Sequence, residues 1–510
     1  MKEKVRKIIA SILFFIIIFI LLILLRSANW FLKNFGGVEF ATAIYQLLSP
    51  MKGTESELIN DYCRECLYPA VYVPLLFILI FNIIDVLLKK LLPELVLYFG
   101  EKNIDKFVTF IKGIIVCAMI SFLITQIWKK AVIIDIPGYI ESVTNSSTLY
   151  ETEYIEPGKV SIEFPANKRN LILIYMESME TTYASKEDGG SKLVNYIPEL
   201  TKLAEENLYF SNDEDLGGAN GYSGTGWTMA GLLATSGGVN YKLPIGGNDA
   251  REYSDFLPGI TCIGDILEDA GYKNYFMCGS EAIFGGREDF YTQHGNYHIF
   301  DYNTAKDDGI ISQDYHVFWG MEDKKLYEYA QKKLLEIANS DEPFNFTMLT
   351  VDTHHPDGYV CELCDNEYPE QYANAIACSS KQVYQFIEWI KKQNWYENTT
   401  IVITGDHKSM NTNFWSDIRY DDRRIYNCFI NLPENLLTAN TINREFSTMD
   451  MFPTILAAMN IDIEGERLGL GTNLFSTEPT LPERMGKDSF GEELELYSVY
   501  YNNFILNKRH

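Results

Sequence analysis

The sequence has no surplus of positive charge. Its 510 residues include 43 Lys and Arg against 69 Asp and Glu, which gives a formal net charge of −26. A nucleic-acid-binding domain carries a basic surface for the phosphate backbone, so this composition argues against nucleic acid as a partner. The chain also contains no internal repeat and no low-complexity tract. Its length suits a membrane part followed by one large globular domain.

The glycine-rich stretch GGANGYSGTGWTMAGLLATSGG, residues 217–238, lacks the two common phosphate-binding patterns. It has neither the lysine of G-x-x-x-x-G-K-[ST] nor a G-x-G-x-x-G. It leads instead into Thr228 and a short apolar segment that indicates the start of a helix. Because glycine lets a backbone approach a ligand closely, the loop suggests a binding site, with a flexible connector as the alternative.

Three long apolar runs lie in the first 130 residues. They cover residues 8–25, 70–88 and 107–128. Each approaches the ~20 apolar residues that a helix needs to cross a bilayer. The first run is long for a cleaved signal peptide and no A-x-A site follows it, so we expect it to be retained. Pro74, Asp85 and Lys112 leave a buried core helix as the alternative for the second and third runs.

Basic residues flank these runs on one predicted side of the membrane. They are Lys2, Lys4, Arg6 and Lys7 before the first run, and Lys89, Lys90, Lys102 and Lys106 between the second and third. The segment 27–69 is richer in Glu and Asp. The positive-inside rule therefore places the N-terminus in the cytoplasm. We predict a transmembrane region over 1–130, a tether with some local structure over 131–167, and an extracytoplasmic catalytic domain over 168–510.

Nine cysteines are present, and four of them form two C-x-x-C pairs, Cys63 with Cys66 and Cys361 with Cys364. Both pairs fall on the predicted outer side, where disulfides persist. A zinc knuckle is the alternative for the second pair, but no further C-x-x-C or H-x-x-x-H lies at a suitable spacing. A local disulfide or free thiols are therefore favoured there, and Cys378 lies nearby in the sequence.

From residue 168 onward, short apolar runs alternate with segments of helical spacing. The runs NLILIYMES, FNFTMLTVDTHH and NTTIVITGDHKSM are typical of strands buried on both faces. IPELTKLAEEN has the spacing of a helix, and CIGDILEDAGYKNYFM is typical of a helix, a glycine stop and a strand. This alternation predicts an α/β fold, with a mainly parallel sheet under helices on both faces.

Polar side chains follow three of the predicted strands. Glu177 ends the first, residues 352–355 follow the second, and Asp406 and His407 end the third. Ligands of open α/β sheets bind outside the carboxyl ends of the strands, so we expect these groups to share one rim. Each motif alone has an ordinary alternative: a solvated strand end, a surface turn or a simple Gly-Asp turn. The hypothesis of a shared site therefore depends on all three motifs occurring together and in this order.

Glu177, Asp406 and His407 supply two carboxylates and an imidazole, a mixed set that suits Zn²⁺ or Mn²⁺. Thr228 could complete the set, because a hydroxyl coordinated to a divalent cation is easier to deprotonate. Such a threonine could attack phosphorus and form a covalent phosphothreonine. If Thr228 begins a helix, the free backbone N–H groups there favour an incoming anion.

The motifs IYMESME, GTGWTMAGLLATSGG, FGGREDFY, LTVDTHHPDGY and VITGDHKSM, in this order, resemble those of the alkaline-phosphatase/sulfatase superfamily. They are most similar to the membrane-anchored phosphoglycerol transferases, which include the lipoteichoic acid synthases. Within that group they look most like the branch that modifies osmoregulated periplasmic glucans, and LLSPMKGTES at 47–56 also resembles it. The resemblance covers most of 165–475 and, more weakly, the membrane part.

The resemblance implies an α/β/α sandwich that holds one divalent cation, with Mn²⁺ favoured and Zn²⁺ or Mg²⁺ as alternatives. The family's metal-site glutamate falls on Glu177, and its Asp-His ligand pair falls on Asp406 and His407. Its nucleophilic threonine, which also contacts the metal, falls on Thr228 rather than on Thr225 three residues upstream.

The resemblance also implies the substrate contacts. The family's phosphate-contacting arginine falls on Arg287, and its substrate histidine falls on His354 or, with a shift of one residue, on His355. The implied donor is phosphatidylglycerol, and the implied acceptor is a glycan or a polyglycerol phosphate. The implied location is a bacterial cell membrane that the chain crosses several times.

One departure from the family puts the acceptor in doubt. Where the lipoteichoic acid synthases have a tryptophan two residues before the arginine, this chain has Gly285. A sulfatase is disfavoured because the Cys/Ser-x-Pro-x-Arg motif is absent. A phosphoethanolamine transferase, another metal-dependent phosphodiesterase and a catalytically dead membrane-anchored binding module stay open as alternatives.

Overall fold

The computed structural model describes residues 2–34, 56–91, 100–134, 136–242, 256–340, 342–411 and 413–507. The segment LLSPMKGTES lies outside these residues except for its last one, Ser56. The chain divides into two compact units. The first contains Met1–Gly36 and Thr54–Gly138, and the second contains Gly37–Gly53 and Tyr139–His510.

The first unit is helical. Its helices are α1 (Lys2–Asn34), α2 (Ser56–Tyr62), α3 (Tyr68–Leu91) and α4 (Glu101–Ile133), and α5 (Ile136–Thr144) begins here and ends in the second unit. A π-helical turn, Cys63–Leu67, joins α2 to α3. Near the end of α1, the indole N–H of Trp30 donates to Asp61 Oδ2 over 3.1 Å.

Three stretches of this unit are long and apolar enough to cross a membrane: Ile8–Asn34, Ile59–Ile84 and Asn103–Ile133. They overlap the three apolar runs of the sequence. Their large apolar side chains are exposed, as Ile8 at 59% and Phe107 at 64% illustrate. Exposed apolar surface on this scale is unfavourable in water and favourable in lipid. The protein is therefore membrane-anchored.

The second unit contains one six-stranded sheet and two two-stranded sheets, ten strands in all among the described residues. Its strands are β1 (Ile162–Glu163), β2 (Asn170–Met176), β3 (Lys273–Cys278), β4 (His298–Phe300), β5 (Phe344–Leu349), β6 (Thr399–Gly405), β7 (Asn427–Ile430), β8 (Asp462–Ile463), β9 (Arg467–Leu468) and β10 (Gly471–Thr472). The large sheet has the order β4-β3-β5-β2-β6-β7. All its neighbours are parallel except β7, which runs antiparallel to β6. The predicted α/β class with a mainly parallel sheet is confirmed.

Helices alternate with these strands. They are α6 (Leu149–Glu153), α7 (Pro198–Glu206), α8 (Thr228–Gly237), α9 (Ile263–Asp269), α10 (Arg287–Gln293), α11 (Tyr302–Asp307), α12 (Asp323–Ile337), α13 (Gln371–Ile390), α14 (Met451–Ala458), α15 (Leu481–Met485) and α16 (Lys487–Glu495). Every residue of β2, β5 and β6 is buried, as the continuous apolar runs indicate.

Residues 149–163, within the predicted tether, belong to the second unit and contact residues 462–484 of it. β1 pairs antiparallel with β8. The Glu153 carboxylate accepts hydrogen bonds from Arg467 and Arg484, over 3.1 Å and 2.6 Å. The boundary of the catalytic domain at residue 168 stays a prediction.

The cysteines of the second unit form one disulfide among the described residues, between Cys364 and Cys378. Their Cα atoms lie 5.0 Å apart, within the usual range for a disulfide. The Cys361 thiol is not part of it, although its Sγ atom lies 3.7 Å from that of Cys364. The local disulfide therefore ties the loop after β5 to α13 instead of closing within the C-x-x-C pair.

Candidate metal and phosphoryl-transfer site

The candidate site lies at the carboxyl edge of the three central strands. β2 and β6 pair in parallel as far as Met176 opposite Gly405, so the next residues, Glu177 and Asp406, emerge side by side. β2 also pairs with β5 up to Tyr175 opposite Leu349, which brings the segment after β5 to the same edge. The strand register is thus the reason that residues far apart in sequence meet here.

Glu177 and Asp406 are both buried, and both are oriented by Ser178. The Ser178 hydroxyl donates to Glu177 Oε1 over 2.7 Å, and its backbone N–H donates to Asp406 Oδ1 over 2.8 Å. Ser178 has a φ of 53°, a left-handed conformation that residues other than Gly, Asn and Asp rarely adopt. Our sequence analysis missed this residue, whose one signal is a hydroxyl directly after a strand-ending glutamate.

His407 is held by its own backbone neighbour. Its Nδ1 atom lies 2.8 Å from the Lys408 carbonyl oxygen, which can only accept, so Nδ1 carries the proton. Nε2 of the neutral ring then has a free lone pair, the usual arrangement of a ligating histidine. Nε2 lies 3.5 Å from Glu177 Oε1 and 3.4 Å from Asp406 Oδ2.

Thr228 is the first residue of α8, and its hydroxyl lies 3.3 Å from Glu177 Oε2. Its side chain is half-buried, whereas Thr225 is fully buried and bonds through Oγ1 to the backbone of Tyr222. α8 packs directly on the strand end, because a Cβ atom at Gly231 would lie 2.0 Å from the Asp406 carbonyl oxygen. The glycine therefore allows the helix start to reach the site.

The donor set fits one divalent cation. Ligand atoms of Glu177, Asp406 and His407 all lie within 4.8 Å of one another, and all three side chains are buried. Asp406 Oδ2 has no hydrogen-bond partner among the described residues, so its lone pairs are available. Burial and the neighbouring charge of Glu177 raise the pKa of Asp406 to about 7. A cation between these groups would offset the cost of burying two carboxylates together.

Two other clusters of possible metal ligands fit a cation less well than this one does. In the first, Cys364 and Cys378 are joined as a disulfide beside Cys361. In the second, His294 Nδ1 bonds Asp265 Oδ2 over 3.2 Å, and its Nε2 bonds the Phe256 carbonyl oxygen over 2.7 Å. Both ring nitrogens of that histidine are therefore occupied.

His354 is close enough to Glu177 and His407 for both to affect its pKa, and Arg287 affects the same pKa. The Arg287 Nη2 atom donates to Ser280 Oγ over 3.0 Å, and its buried Nε has no hydrogen-bond partner in the part of the chain that the structure describes. His354 is half-buried, and its Nδ1 bonds the His355 carbonyl oxygen over 2.8 Å. Burial lowers the pKa of His354, and the charge of Arg287 contributes in the same direction. The ring of His355 is buried and lies 4.6 Å from that of His354, between ring centroids.

Glu180 has a different role from Glu177, although both belong to the motif YMESME. It forms a buried ion pair with Arg423, whose Nε donates to Glu180 Oε2 over 2.9 Å. It also accepts the backbone N–H of Ser409 over 2.8 Å. Glu180 therefore ties the segment after β2 to the segment after β6, and it is not among the clustered ligands. Our sequence analysis did not distinguish the role of Glu180 from that of Glu177.

Lys408 follows His407 and is also buried. Its Nζ atom donates to the Tyr420 carbonyl oxygen over 3.1 Å. Its Cε atom lies 3.5 Å from the position that a Cβ atom of Gly221 would take, so it contacts the glycine-rich loop. Burial lowers the pKa of Lys408 to about 7. Our sequence analysis also missed this contact between Lys408 and the glycine-rich loop.

Comparison with known proteins gives matches of three kinds. A model of the Sulfatase family matches residues 169–461. Phosphoglycerol transferase I of Escherichia coli (strain SMS-3-5 / SECEC) is 34% identical over 329 residues, which cover 63% of this chain and 41% of that protein. The protein of the same name from Shigella boydii serotype 18 matches to the same extent. The chain thus spans about two fifths of the length of these curated relatives.

Solved structures are more distant. The lipoteichoic acid synthase LtaP from Listeria monocytogenes is 20% identical, with a TM-score of 0.47 over 62% of this chain and 79% of that one. The lipooligosaccharide phosphoethanolamine transferase A (EptA) from Neisseria meningitidis is 15% identical, with a TM-score of 0.49 over 88% of this chain and 84% of that one.

The family match covers more than half of the chain, including all strands of the large sheet and every residue of the clustered site. The resemblance drawn from the ordered motifs is thereby confirmed, and the chain belongs to the Sulfatase family.

Proposed function

We propose that the protein transfers glycerol phosphate from phosphatidylglycerol to an extracytoplasmic acceptor, a glycan or a polyglycerol phosphate. The observation that carries the proposal is the position of the Thr228 hydroxyl, 3.3 Å from Glu177 and at the start of α8. It supports Thr228 as the nucleophile, because this hydroxyl lies at the edge of a buried cluster of two carboxylates and an imidazole. The relatives named phosphoglycerol transferase I support the choice of the transferred group.

One divalent cation is part of the proposal, with Mn²⁺ as the first choice and Zn²⁺ or Mg²⁺ as alternatives. Glu177, Asp406, His407 and Thr228 would hold it. When bound, such an ion supplies positive charge that makes a coordinated hydroxyl easier to deprotonate. Ser178 and the Lys408 carbonyl orient the ligands before any substrate arrives.

The phosphate group of the donor would meet Arg287 and the first turn of α8. A guanidinium binds phosphate oxygens in a bidentate manner, and backbone N–H groups at a helix start favour an anion. Of the two histidines, we assign the phosphate contact to His354. Its ring is less buried than that of His355, and it is close enough for the Glu177 charge to affect its pKa.

The reaction would proceed in two displacements. Thr228 Oγ gives up its proton to water and bonds to phosphorus while the bond from phosphorus to the diacylglycerol oxygen breaks, and water returns a proton to Oγ when the threonine is released. In the second displacement, the acceptor hydroxyl attacks the same phosphorus and the bond to Thr228 breaks. Because Nδ1 of His354 already donates to a carbonyl, its Nε2 takes the acceptor proton and returns one to the diacylglycerol oxygen of the next turnover.

The protein would act as a multi-pass protein of a bacterial membrane, with its catalytic unit on the outer face. The three apolar stretches support this placement, because they keep the second unit near a bilayer in which the donor is concentrated. The orientation rests on the basic residues that flank the apolar runs.

The test uses the whole 510-residue chain in vesicles with Mn²⁺ and either phosphatidylglycerol or phosphatidylethanolamine. Diacylglycerol release is followed, and a covalent adduct is sought by intact-protein mass spectrometry. Release from phosphatidylglycerol with an adduct on Thr228 supports the proposal. Release from phosphatidylethanolamine instead would assign the protein to the phosphoethanolamine transferases.

Thr228→Ala should lower turnover by at least ~10³-fold and remove the adduct, because it deletes the attacking oxygen. Thr292→Ala is the matched control, since Thr292 is exposed on α10 and its hydroxyl donates to carbonyls of its own helix, those of Glu288 and Asp289, over 2.6 Å and 3.4 Å. Diacylglycerol release by Thr228→Ala at the wild-type rate would reject Thr228 as the nucleophile.

A further inference from the structure

A tight turn at residues 317–320, with the sequence Val-Phe-Trp-Gly, lies beside the candidate site. The backbone N–H and C=O of Val317 exchange hydrogen bonds of 2.9 Å with Gly320, so Phe318 and Trp319 form a two-residue tip. Phe318 has a φ of 55°, which is unfavourable for a bulky side chain. Backbone strain of this kind persists only where the surroundings hold it, and it is concentrated at functional positions.

Contacts with two neighbouring segments, at Gly279 and Tyr359, fix the position of the turn. The Met321 N–H donates to the Gly279 carbonyl over 2.9 Å, which bonds the turn to the segment after β3. Gly320 has a φ of 146°, and a Cβ atom there would lie 2.6 Å from the same Gly279 oxygen, so glycine is required. Phe318 stacks on Tyr359, with ring centroids 5.9 Å apart. The strained tip is thus a fixed part of the rim.

The turn presents the Trp319 indole to the site. The ring centroids of Trp319 and His354 lie 4.8 Å apart, and those of Trp319 and Phe284 lie 5.3 Å apart. Phe284 in turn lies under Arg287, whose guanidinium carbon is 5.6 Å from the ring centroid. Trp319 and Phe284 therefore form an aromatic wall that connects His354 to Arg287. Trp319 is half-buried, so part of this residue is accessible to solvent.

We propose that Trp319 is the acceptor-binding residue and that it stacks against the ring of a neutral sugar. This inference rests on the proposed function. Of the two proposed acceptor classes, a glycan and a polyglycerol phosphate, it selects the glycan. One face of a pyranose ring carries C–H groups that form a flat apolar patch, and the indole is a flat apolar surface of similar size. A sugar held there would have its hydroxyl groups beside His354 and the phosphoryl group.

The charge around the turn favours a neutral acceptor over a polyanion. Burial raises the pKa of Tyr359, the ring on which Phe318 stacks, and the charges of Glu322 and Glu362 contribute in the same direction, so these two carboxylates lie near the turn. The whole chain carries a net charge of −26. A polyglycerol phosphate would be repelled along this part of the rim, whereas an uncharged glycan would not.

The first arm of the test measures transfer. The whole 510-residue chain in phosphatidylglycerol vesicles with Mn²⁺ is given methyl β-glucopyranoside, and the ratio of glycerol phosphate transferred to the sugar over that released to water is determined. Trp319→Ala should lower this ratio at least tenfold, and Trp319→Phe should restore most of it because an aromatic face remains. Trp395→Ala is the matched control, since Trp395 is also half-buried but packs on Phe344, at the other end of β5.

The second arm measures binding without the donor. Saturation-transfer NMR should show contact between the protein and the ring protons of the glucoside, lost in Trp319→Ala and kept in Trp395→Ala. Contact that is absent from the wild type, or unchanged in Trp319→Ala, overturns the inference. Contact that depends on Trp319, in a protein that releases no diacylglycerol from phosphatidylglycerol, supports the inference and overturns the proposed donor.

Discussion

Two clusters of buried carboxylates lie at the same edge of the sheet, and they differ in what surrounds their oxygens. In the first, Glu177 and Asp406 face Nε2 of His407. In the second, Asp323 and Asp352 face each other, and each accepts the backbone N–H of the other, over 3.1 Å and 3.3 Å. The two clusters therefore differ in whether an imidazole nitrogen lies beside the carboxylates.

The electrostatics of the two clusters agree only in part. Burial opposes the charge of Glu177, but His407 beside it lowers the pKa of this carboxyl, whereas the second cluster has no carboxyl with a lowered pKa. Burial raises the pKa of Asp323 to about 7 and that of Asp352 well above its ordinary value. Asp406 has the same shift for the same first cause. What separates the clusters is the nitrogen ligand and the nearby hydroxyl of Thr228, which the second cluster lacks among the described residues.

The strongest test of this comparison is Asp406→Asn. The amide oxygen can still accept the N–H groups of Ser178 and His407 that Asp406 Oδ1 accepts over 2.8 Å, so the fold should persist. The loss of one anionic ligand should weaken metal binding more than ~100-fold, the upper range for removing a supporting contact, and should abolish turnover. Metal content by mass spectrometry and diacylglycerol release check it.

Asp352→Asn is the matched control for metal content, since it changes a buried carboxylate of the other cluster. It should retain the wild-type stoichiometry of metal. Stoichiometric metal in Asp406→Asn, or metal lost equally from both variants, would contradict the distinction between the clusters.

A smaller effect is expected from Ser178→Ala. The hydroxyl that donates to Glu177 Oε1 would be lost, whereas the backbone bond to Asp406 would remain. Removal of such a supporting contact costs about 10- to 100-fold in metal affinity. Titration of the metal-free protein with Mn²⁺ measures this change. Ser379→Ala, another buried serine but on α13, should leave the affinity unaltered, and equal affinities in the two variants would exclude a positioning role for Ser178.

The fold could be predicted because its signals are local. The runs of β2, β5 and β6 are continuous and apolar, and each ends in polar residues at the point where the strand ends. Parallel pairing then brings those ends together without further information. For this reason Glu177, Asp406 and His407 could be grouped from the sequence, and the structure places them within 4.8 Å.

The roles that could not be predicted depend on contacts between distant segments. Glu180 and Glu177 lie three residues apart in one motif, and only the position of Arg423 separates the buried ion pair from the clustered ligand. Trp319 has no motif of its own, because its place beside His354 depends on how the turn bonds to Gly279. Such contacts arise from tertiary packing, which sequence periodicity does not report.

The smallest expected effect is a change in the pH dependence of stability. The variant Asp352→Asn tests it, because this substitution changes the second cluster directly. The pKa of Asp323 is about 7 in the folded chain against an ordinary 3.8, so its contribution to stability is full below pH 3.8 and is lost as the pH rises through 7. Burial and the charge of Asp323 raise the pKa of Asp352 well above its ordinary value, so this group destabilises the fold in the same pH range. The asparagine removes it and keeps the 3.1 Å bond from the Asp323 N–H. At ~1.4 kcal/mol per pKa unit, we expect the variant to be about 1–2 kcal/mol more stable than the wild type at pH 8 and little different at pH 4. Thermal melts of the metal-loaded proteins across this range measure the gap, and a gap that stays constant with pH would show that the two carboxylates do not share their charge.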